Sequence, residues 1–129
     1  MTRLLWAVLV LRLDPADGHE QGGVRRVLVV SREPFHRSGM VTVCPITAAR
    51  SEPRYPGEIQ VPAGQAGQTR PAVILCQQVR TVSLARRQEG ADQPVGYLTD
   101  PAIRQAIRRA LAHHLGLDIP PVGDGALAA

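Results

Sequence analysis

A chain of 129 residues has the length of a single domain, and a chain of this size buries enough surface for one hydrophobic core. With 44% hydrophobic and 20% charged residues, its composition is that of an ordinary globular protein and not of a disordered or fibrous one. The formal net charge is +4, and the chain contains no lysine. This modest positive excess fits a nucleic-acid ligand or an acidic protein partner without choosing between them.

Short apolar segments, separated by turns rich in glycine and proline, predict a sheet of several strands. The near-continuous apolar run at 25–31 indicates a central strand. In chain order, the predicted strands are residues 4–13, 25–31, 40–46, 58–61, 71–82 and 95–98. The predicted loops between them are residues 16–24, 32–39, 48–57 and 63–69.

One segment near the end of the chain predicts a helix of several turns. Asp100 is a good N-cap, Pro101 fits the first helical position, and Gly116 ends the helix. A short helical turn is also expected near 84–87. The apolar stripe at helical spacing consists of Ile103, Ile107, Leu111 and Leu115.

These elements together predict a mainly β fold with a C-terminal helix, arranged as a small barrel or as a sheet with the helix packed on it. We expect one domain over residues 1–118. The segment 119–129 is rich in proline, glycine and alanine and is expected to be a disordered tail.

Two features bear on the cellular compartment. Cys44 and Cys76 lie in apolar, strand-like runs without a metal-type spacing, which favours buried free thiols in a reducing cytoplasm over a disulfide. The apolar start of the chain lacks a small-residue cleavage site and is broken by Arg12 and Asp14. We therefore expect neither a signal peptide nor a membrane span.

The segment 18–31, GHEQGGVRRVLVVS, gathers groups that suit phosphate chemistry. A glycine-flanked loop carries His19, Glu20 and Gln21, and Arg25 and Arg26 open the strand that follows. An imidazole exchanges protons near neutral pH, and guanidinium groups pair bidentately with phosphate. The pattern predicts a site that holds a phosphate and moves a proton beside it.

Three blocks of sequence together resemble the MazF/PemK/Kid family of toxin endoribonucleases, over about residues 10–117. The first block runs from the Leu-Asp-Pro at 13–15 through GHEQGGVR to LVVS, and the second is the Pro-Ile-Thr at 45–47. The third is VIL at 73–75 followed by QQVRTV at 77–82. Each block is weak alone, and their order and spacing carry the resemblance.

The resemblance implies an SH3-like barrel of the CcdB/PemK type that forms a homodimer in the cytoplasm. It also implies cleavage of single-stranded RNA (mRNA) at short sequence motifs, without a metal or other cofactor. An antitoxin with an extended, acidic segment would cover the RNA site. Unpaired bases would be read by the loops at 16–24 and 48–57, and the scarcity of aromatic residues favours arginine stacking over aromatic stacking.

The same resemblance assigns roles to individual residues. Arg25 matches the catalytic arginine of the family, and Thr47 matches its catalytic threonine or serine. His19 matches a loop histidine that some members use at the active site. Glu20 and Gln21 match the acid and the amide of that loop, so Glu20 is expected to be a catalytic residue and Gln21 to bind substrate.

Three further residues are expected to contact the substrate. Gln78 falls where members place a residue close to the scissile phosphate. Arg26 and Arg80 add positive charge, although a structural pairing of Arg80 with Glu20 fits the sequence equally well.

Cleavage of RNA needs a base for the 2′-hydroxyl proton, a group that stabilises the phosphorane, and an acid for the leaving 5′-oxygen. We expect His19 to be the base. We expect Arg25 to stabilise the phosphorane and to be able to act as the acid. Thr47 and Gln78 are expected to position the phosphate by hydrogen bonds.

The chain departs from the family pattern at three places. Arg26 stands where members have proline, and Leu75 and Gln77 stand where some members have arginine and aspartate, so no carboxylate base is available there. The usual arginine-glycine-acid opening is replaced by residues 5–7, in which Trp6 is expected to be a core or dimer-interface residue.

Two alternatives follow. A non-catalytic module of the same fold would bind only antitoxin or nucleic acid, and the missing carboxylate at Gln77 favours that alternative. A toxin that acts on a protein, like the related gyrase-poisoning toxins, would share the fold. The RNase-type loop around His19 argues against this second alternative.

Overall fold

Seven strands and two helices make up the part of the chain that the computed structural model describes, residues 3–15, 17–49 and 55–117. They are β1 (Ala7–Arg12), β2 (Val24–Val29), α1 (Glu33–His36), β3 (Met40–Ala48), β4 (Glu58–Val61), β5 (Ala72–Leu75), β6 (Arg80–Ser83), β7 (Gly96–Tyr97) and α2 (Pro101–His114). Two single 3-10 turns, Cys76–Gln78 and Leu84–Arg86, flank β6.

The strands form one antiparallel sheet in the order β4-β5-β3-β2-β1-β7, and β6 pairs with the first half of β3. After β6 the chain returns to β1, where Arg87 bridges to Leu11 and the Gln88 N–H donates to the Val10 carbonyl at 3.0 Å. This return curls β1, β2, β3 and β6 into a half-barrel. The predicted mainly β fold with a C-terminal helix is therefore confirmed.

Apolar residues fill both faces of the central strands. On one face, alternate residues of β1, β2 and β3 such as Leu9, Val27 and Val43 pack inside the half-barrel. On the other face, Val8 and Leu28 pack in a second cluster beneath α2 and the β4–β5 hairpin. Burial on both faces explains why these strands appear as continuous apolar runs in the sequence.

The helix α2 closes the second cluster as its sequence predicts. The Asp100 carboxylate accepts hydrogen bonds from the N–H groups of Ala102 and Ile103 at 2.8 and 3.3 Å. Gly116 adopts a left-handed φ of +67° just past the helix end, a backbone conformation that favours glycine. The last residue of the predicted stripe, Leu115, is an exception because it is exposed.

The strand region predicted at 71–82 contains two strands, because the Cys76–Gln78 turn divides it into β5 and β6. If the register of β5 on β3 continued, residue 77 would lie opposite Val43, but Arg80 lies there. The turn absorbs this offset and displaces its glutamines from the sheet. The predicted loop at 32–39 differs less, since it contains only the single turn α1.

The structure also tests the expectations for the two cysteines and for Trp6. Cys44 and Cys76 are free and buried, as predicted. A hydrogen bond with Cys76, together with burial, raises the pKa of the Cys44 thiol well above its ordinary range. Trp6 is a buried core residue, and the guanidinium groups of Arg104 and Arg108 lie over its ring at 5.3 and 5.1 Å.

The predicted tail at 119–129 lies outside the described residues, as do residues 50–54 of the predicted loop at 48–57. Within the described ranges, no helix is long and apolar enough to cross a membrane.

A carboxylate at the start of α1 ties the beginning of the chain to the sheet. The Glu33 Oε1 atom accepts hydrogen bonds from the N–H groups of Leu4 and Leu5 at 2.7 and 2.8 Å. Its Oε2 atom lies 3.3 Å from Nδ1 of His36, whose Nε2 atom lies 2.8 Å from the Ser31 hydroxyl. Burial raises the pKa of Glu33, but the hydrogen bonds from Leu5, Leu4 and His36 outweigh burial and lower it.

The lowered pKa of Glu33 predicts a dependence of stability on pH. A carboxyl with a lower pKa in the folded state stabilises the protein above its unfolded pKa, and this contribution is lost as the pH falls through the folded pKa. We expect Glu33→Gln to lower the free energy of unfolding at neutral pH by about 1 kcal/mol and to flatten its decline in acid. Urea unfolding across a pH series measures both effects. The exposed Glu89→Gln is the control, and an unchanged acid decline in Glu33→Gln would contradict the assignment.

Candidate functional site

Two depressions meet along the second half of β3. The histidine cleft, of about 430 Å³, is lined by His19, Glu20, Gln21, Pro45, Gln77, Gln78, Val79 and Arg80. The arginine cleft, of about 340 Å³, is lined by residues 24–26, 46–48 and 68–72. Pro45 lines the first cleft and Thr47 lines the second. Because residues two apart in a strand point to the same face, the two clefts are neighbours on one face of β3.

The arginine cleft opens where β2 and β3 part. The two strands pair from Val29 opposite Val43 to Val27 opposite Pro45. Beyond that point, residues 24–26 of β2 stay paired with β1, while residues 46–48 of β3 pair with β5. The cleft is the gap between the separated strand ends.

Arg25 and Thr47 lie on opposite walls of this gap. The Nε atom of Arg25 donates to the Gly22 carbonyl at 3.0 Å, which holds the exposed side chain while its two terminal nitrogens have no partner among the described residues. The half-buried Thr47 is fixed by the pairing of its backbone with Val73, and its hydroxyl likewise has no described partner. Both groups are available to an incoming ligand.

Two further arginines line the same cleft. Arg26 Nη1 donates at 3.2 Å to Oε1 of the buried Gln68, whose Nε2 donates to the Ala66 carbonyl at 2.9 Å. Arg70 lies on the loop that precedes β5, and no described residue pairs with its guanidinium group. With no carboxylate among its described lining residues, the cleft is strongly electropositive and suits an anion.

In the histidine cleft, Gln78 fixes the loop that carries His19. Its Oε1 accepts from the Gln21 N–H at 2.8 Å, and its Nε2 donates to the His19 carbonyl at 3.4 Å. The Glu20 carboxylate accepts from the Asp17 N–H at 3.1 Å within the loop. The His19 imidazole is exposed and has no hydrogen-bond partner among the described residues.

Arg80 does not pair with Glu20, so that alternative interpretation is wrong. Its Nη1 atom donates to the Leu13 carbonyl at 3.2 Å, and its position at the start of β6 makes it part of the cleft wall. The Glu20 carboxylate accepts instead from the Asp17 N–H of its own loop.

The predicted site residues thus fall into two neighbouring groups. The structure brings His19, Glu20, Gln21, Gln78 and Arg80 together in one cleft, and Arg25, Arg26 and Thr47 together in the other. Sequence reasoning missed Gln68 and Arg70. Their segment looks like a polar hairpin, and only the fold shows that it lies beside Arg26.

Gln21 and Gln77 also have side-chain oxygens that are buried without a described partner. Within the described ranges, no group of three His, Cys, Asp or Glu residues is placed to hold a metal ion.

A half-barrel with one packed helix and an arginine-lined gap beside a histidine loop defines a small β-barrel protein with an anion-binding face. The chain belongs to the family of PemK-like, MazF-like toxins of type II toxin–antitoxin systems, whose family model matches residues 6–115.

Known relatives agree in sequence and in structure. The endoribonuclease toxin ChpB of Escherichia coli strain K12 is 34% identical over 106 residues, which are 81% of this chain and 88% of ChpB. MazF from Deinococcus radiodurans superposes with a TM-score of 0.71 at 26% identity, over 87% of this chain and 94% of that one. A MazE–MazF structure from the same organism matches with a TM-score of 0.65 at 27% identity, over 88% and 96%.

These matches make the chain a toxin endoribonuclease of this family. They do not favour the non-catalytic module that the missing carboxylate at Gln77 suggested.

The two hydrogen bonds of Gln78 predict that it orders the histidine loop. In Gln78→Ala both bonds are lost, and each contributes roughly 1 kcal/mol. We expect the Gln21 amide to exchange its hydrogen about five- to thirtyfold faster, because the loop opens more often. Hydrogen exchange followed by NMR measures this rate.

Gln60→Ala removes an exposed glutamine from β4 outside both clefts and is the matched control. If the Gln21 amide exchanged at the same rate in Gln78→Ala as in the unmodified chain, the hydrogen bonds of Gln78 would not be what orders the loop.

Proposed function

We propose that this protein cleaves single-stranded RNA at short sequence motifs without a metal or another cofactor, and that mRNA in the cytoplasm is its substrate. The observation that carries the proposal is the arginine cleft, where Arg25 and Thr47 face each other with free donors and no described carboxylate nearby. The histidine cleft adjoins it along β3 and supplies an exposed imidazole.

The neighbouring clefts support a division of labour during cleavage. The scissile phosphate binds in the arginine cleft, where Arg25 stabilises the negative charge that grows on the phosphorane. The Thr47 hydroxyl donates a hydrogen bond to a phosphate oxygen. The ribose 2′-hydroxyl lies toward the rim that both clefts share, within reach of His19.

His19 acts as the base in this proposal, because among the described residues that line the histidine cleft it alone carries an imidazole. It takes the 2′-hydroxyl proton, the 2′-oxygen attacks the phosphorus, and the bond to the 5′-oxygen breaks. Arg25 or water returns a proton to the leaving oxygen. The Glu20 carboxylate accepts from the Asp17 N–H, so we assign Glu20 a positioning role in the loop in place of the catalytic role expected from the sequence.

We assign the substrate contacts according to the hydrogen bonds that each side chain of the two clefts already makes within the protein. Arg26 is anchored by Gln68 and presents fixed charge to the phosphate, and Arg80 does the same from the histidine cleft. Gln78 holds the loop backbone with both ends of its amide, so we assign it a positioning role beside the phosphate. The Gln21 side chain, with a buried unpartnered oxygen, is left to contact a base.

We further propose that a protein antitoxin neutralises this chain through an extended, acidic segment. Its carboxylates would replace RNA phosphates in the arginine cleft, where three guanidinium groups have no described carboxylate partner. The MazE–MazF neighbour supports such pairing. A homodimer, implied by the family resemblance, completes the proposal.

The proposal predicts that Arg25→Ala abolishes discrete cuts in a long single-stranded RNA incubated with EDTA. Removing a group that stabilises the developing charge lowers the rate by about 10²- to 10³-fold. Primer extension maps the cuts, and Arg109→Ala, an exposed arginine on α2 outside both clefts, is the control. Equal cutting by both variants, or the absence of cuts by the folded unmodified protein, would refute the proposal.

The role of His19 is tested by the pH profile of cleavage. We expect His19→Ala to cleave about 10²- to 10⁴-fold more slowly, with the loss of the rise in rate that accompanies deprotonation of an imidazole. Single-turnover rates across the neutral range measure both changes. Near-normal cleavage with an unchanged profile would mean that another group is the base.

A further inference from the structure

A third depression, the tyrosine pocket, lies next to the histidine cleft. It has a volume of about 280 Å³, and its lining includes Tyr55 and Gly57 before β4, Gln77 from the 3-10 turn, and His113 and His114 at the end of α2. None of these residues except Gln77 belongs to the two clefts described above.

Gln77 joins the tyrosine pocket to the histidine cleft, because it lines both. Its side chain lies close against Gly57, where a Cβ atom would come within 2.9 Å of Oε1. The same Oε1 atom is buried and has no hydrogen-bond partner among the described residues. A buried acceptor without a donor is unfavourable, so this oxygen suits a ligand that brings an N–H group.

Tyr55 contributes an exposed aromatic ring to the pocket, in contrast to the buried polar oxygen of Gln77. Its side chain is 60% exposed, more than any other aromatic residue in the described ranges, whereas Trp6 is buried and the Tyr97 hydroxyl donates to the Arg3 carbonyl. Proteins stack unpaired bases on exposed aromatic rings that lie beside a positively charged groove. Here Gln77 joins the tyrosine pocket to the histidine cleft, whose wall includes Arg80. The imidazoles of His113 and His114 border the same pocket and add further hydrogen-bonding groups.

We infer that the tyrosine pocket binds a nucleotide of the RNA strand that flanks the cleaved bond, an inference that rests on the proposed function. The base stacks on the Tyr55 ring, and an N–H on the base edge donates to Oε1 of Gln77. The strand then runs from the arginine cleft through the histidine cleft into the tyrosine pocket. Aromatic stacking thus contributes to binding, contrary to the expectation from the composition.

The test compares RNA oligonucleotides of two lengths. Cuts are first mapped in a long RNA, and oligonucleotides centred on one cut are made with a 2′-deoxyribose at the cut, which blocks cleavage. One set extends several nucleotides to each side, and the other is shortened stepwise from either end. Dissociation constants are measured for the unmodified protein and for Tyr55→Ala, Tyr55→Phe and Phe35→Ala.

Tyr55→Ala is expected to weaken binding of the long oligonucleotide by about tenfold or more and to leave binding of the shortened one unchanged. Tyr55→Phe keeps the ring and should bind normally. Phe35→Ala removes an exposed ring that lines none of the three depressions and is the matched control. Equal effects on long and short oligonucleotides, or no effect of Tyr55→Ala, would overturn the inference.

Failure of the proposed function has a different signature. If the folded protein makes no cuts, the pocket is tested with a fluorescein-labelled single-stranded RNA of random sequence and 20 nucleotides. Weaker binding in Tyr55→Ala with normal binding in Tyr55→Phe would support the pocket without nuclease activity. Identical binding by all variants would overturn it.

Discussion

The exchange of partners along β3 is the constraint on which the rest of the structure depends. One edge of this strand pairs with β2 and then separates from it after Pro45, and the other edge pairs first with β6 and then with β5. The Val30 N–H donates to the Thr42 carbonyl, so in this register the nitrogen of Pro45 lies on the edge away from β2, where β3 changes from β6 to β5. A proline has no N–H to donate, so that change of partner leaves no donor unpaired at Pro45. The gap between β2 and β3 becomes the arginine cleft, and the offset between β5 and β6 becomes the turn that carries Gln77 and Gln78.

Electrostatics follow from this geometry. In the described part of the chain, no arginine forms an ion pair with a carboxylate, and the ion pair that the structure shows joins His36 to Glu33. Arg25 and Arg26 are held instead by neutral groups, the Gly22 carbonyl and the Gln68 amide. A guanidinium group held by neutral acceptors keeps its full charge for a phosphate or for the carboxylates of a protein. In the proposed function, this one surface therefore serves both the RNA substrate and the acidic segment of the antitoxin.

Sequence patterns predicted the regular elements well and the breaks between them poorly. The capping residues of α2 are recognisable in the sequence because they satisfy backbone donors at the helix end. The apolar runs of β1 and β2 are recognisable because strands buried on both faces need apolar residues in succession. The strand region predicted at 71–82 gave no sign of its division into β5 and β6, because its apolar residues continue across the Cys76–Gln78 turn. Nothing local distinguishes a strand that changes partners from one that does not. The predicted pairing of Arg80 with Glu20 was wrong for a similar reason. Opposite charges alone do not show which backbone groups the fold places beside each side chain.

The sequence by itself determined the fold class, the free cysteines, the helix and the family resemblance, because periodicity, capping and motif spacing are properties of neighbouring residues. It also identified the residue types of the candidate site. Only the tertiary structure decided that these residues occupy two clefts, that Gln78 engages the loop backbone, and that Gln68, Arg70 and Tyr55 lie beside them. Those relations join residues far apart in the chain through strand register, and register is set by the packing of both cores together.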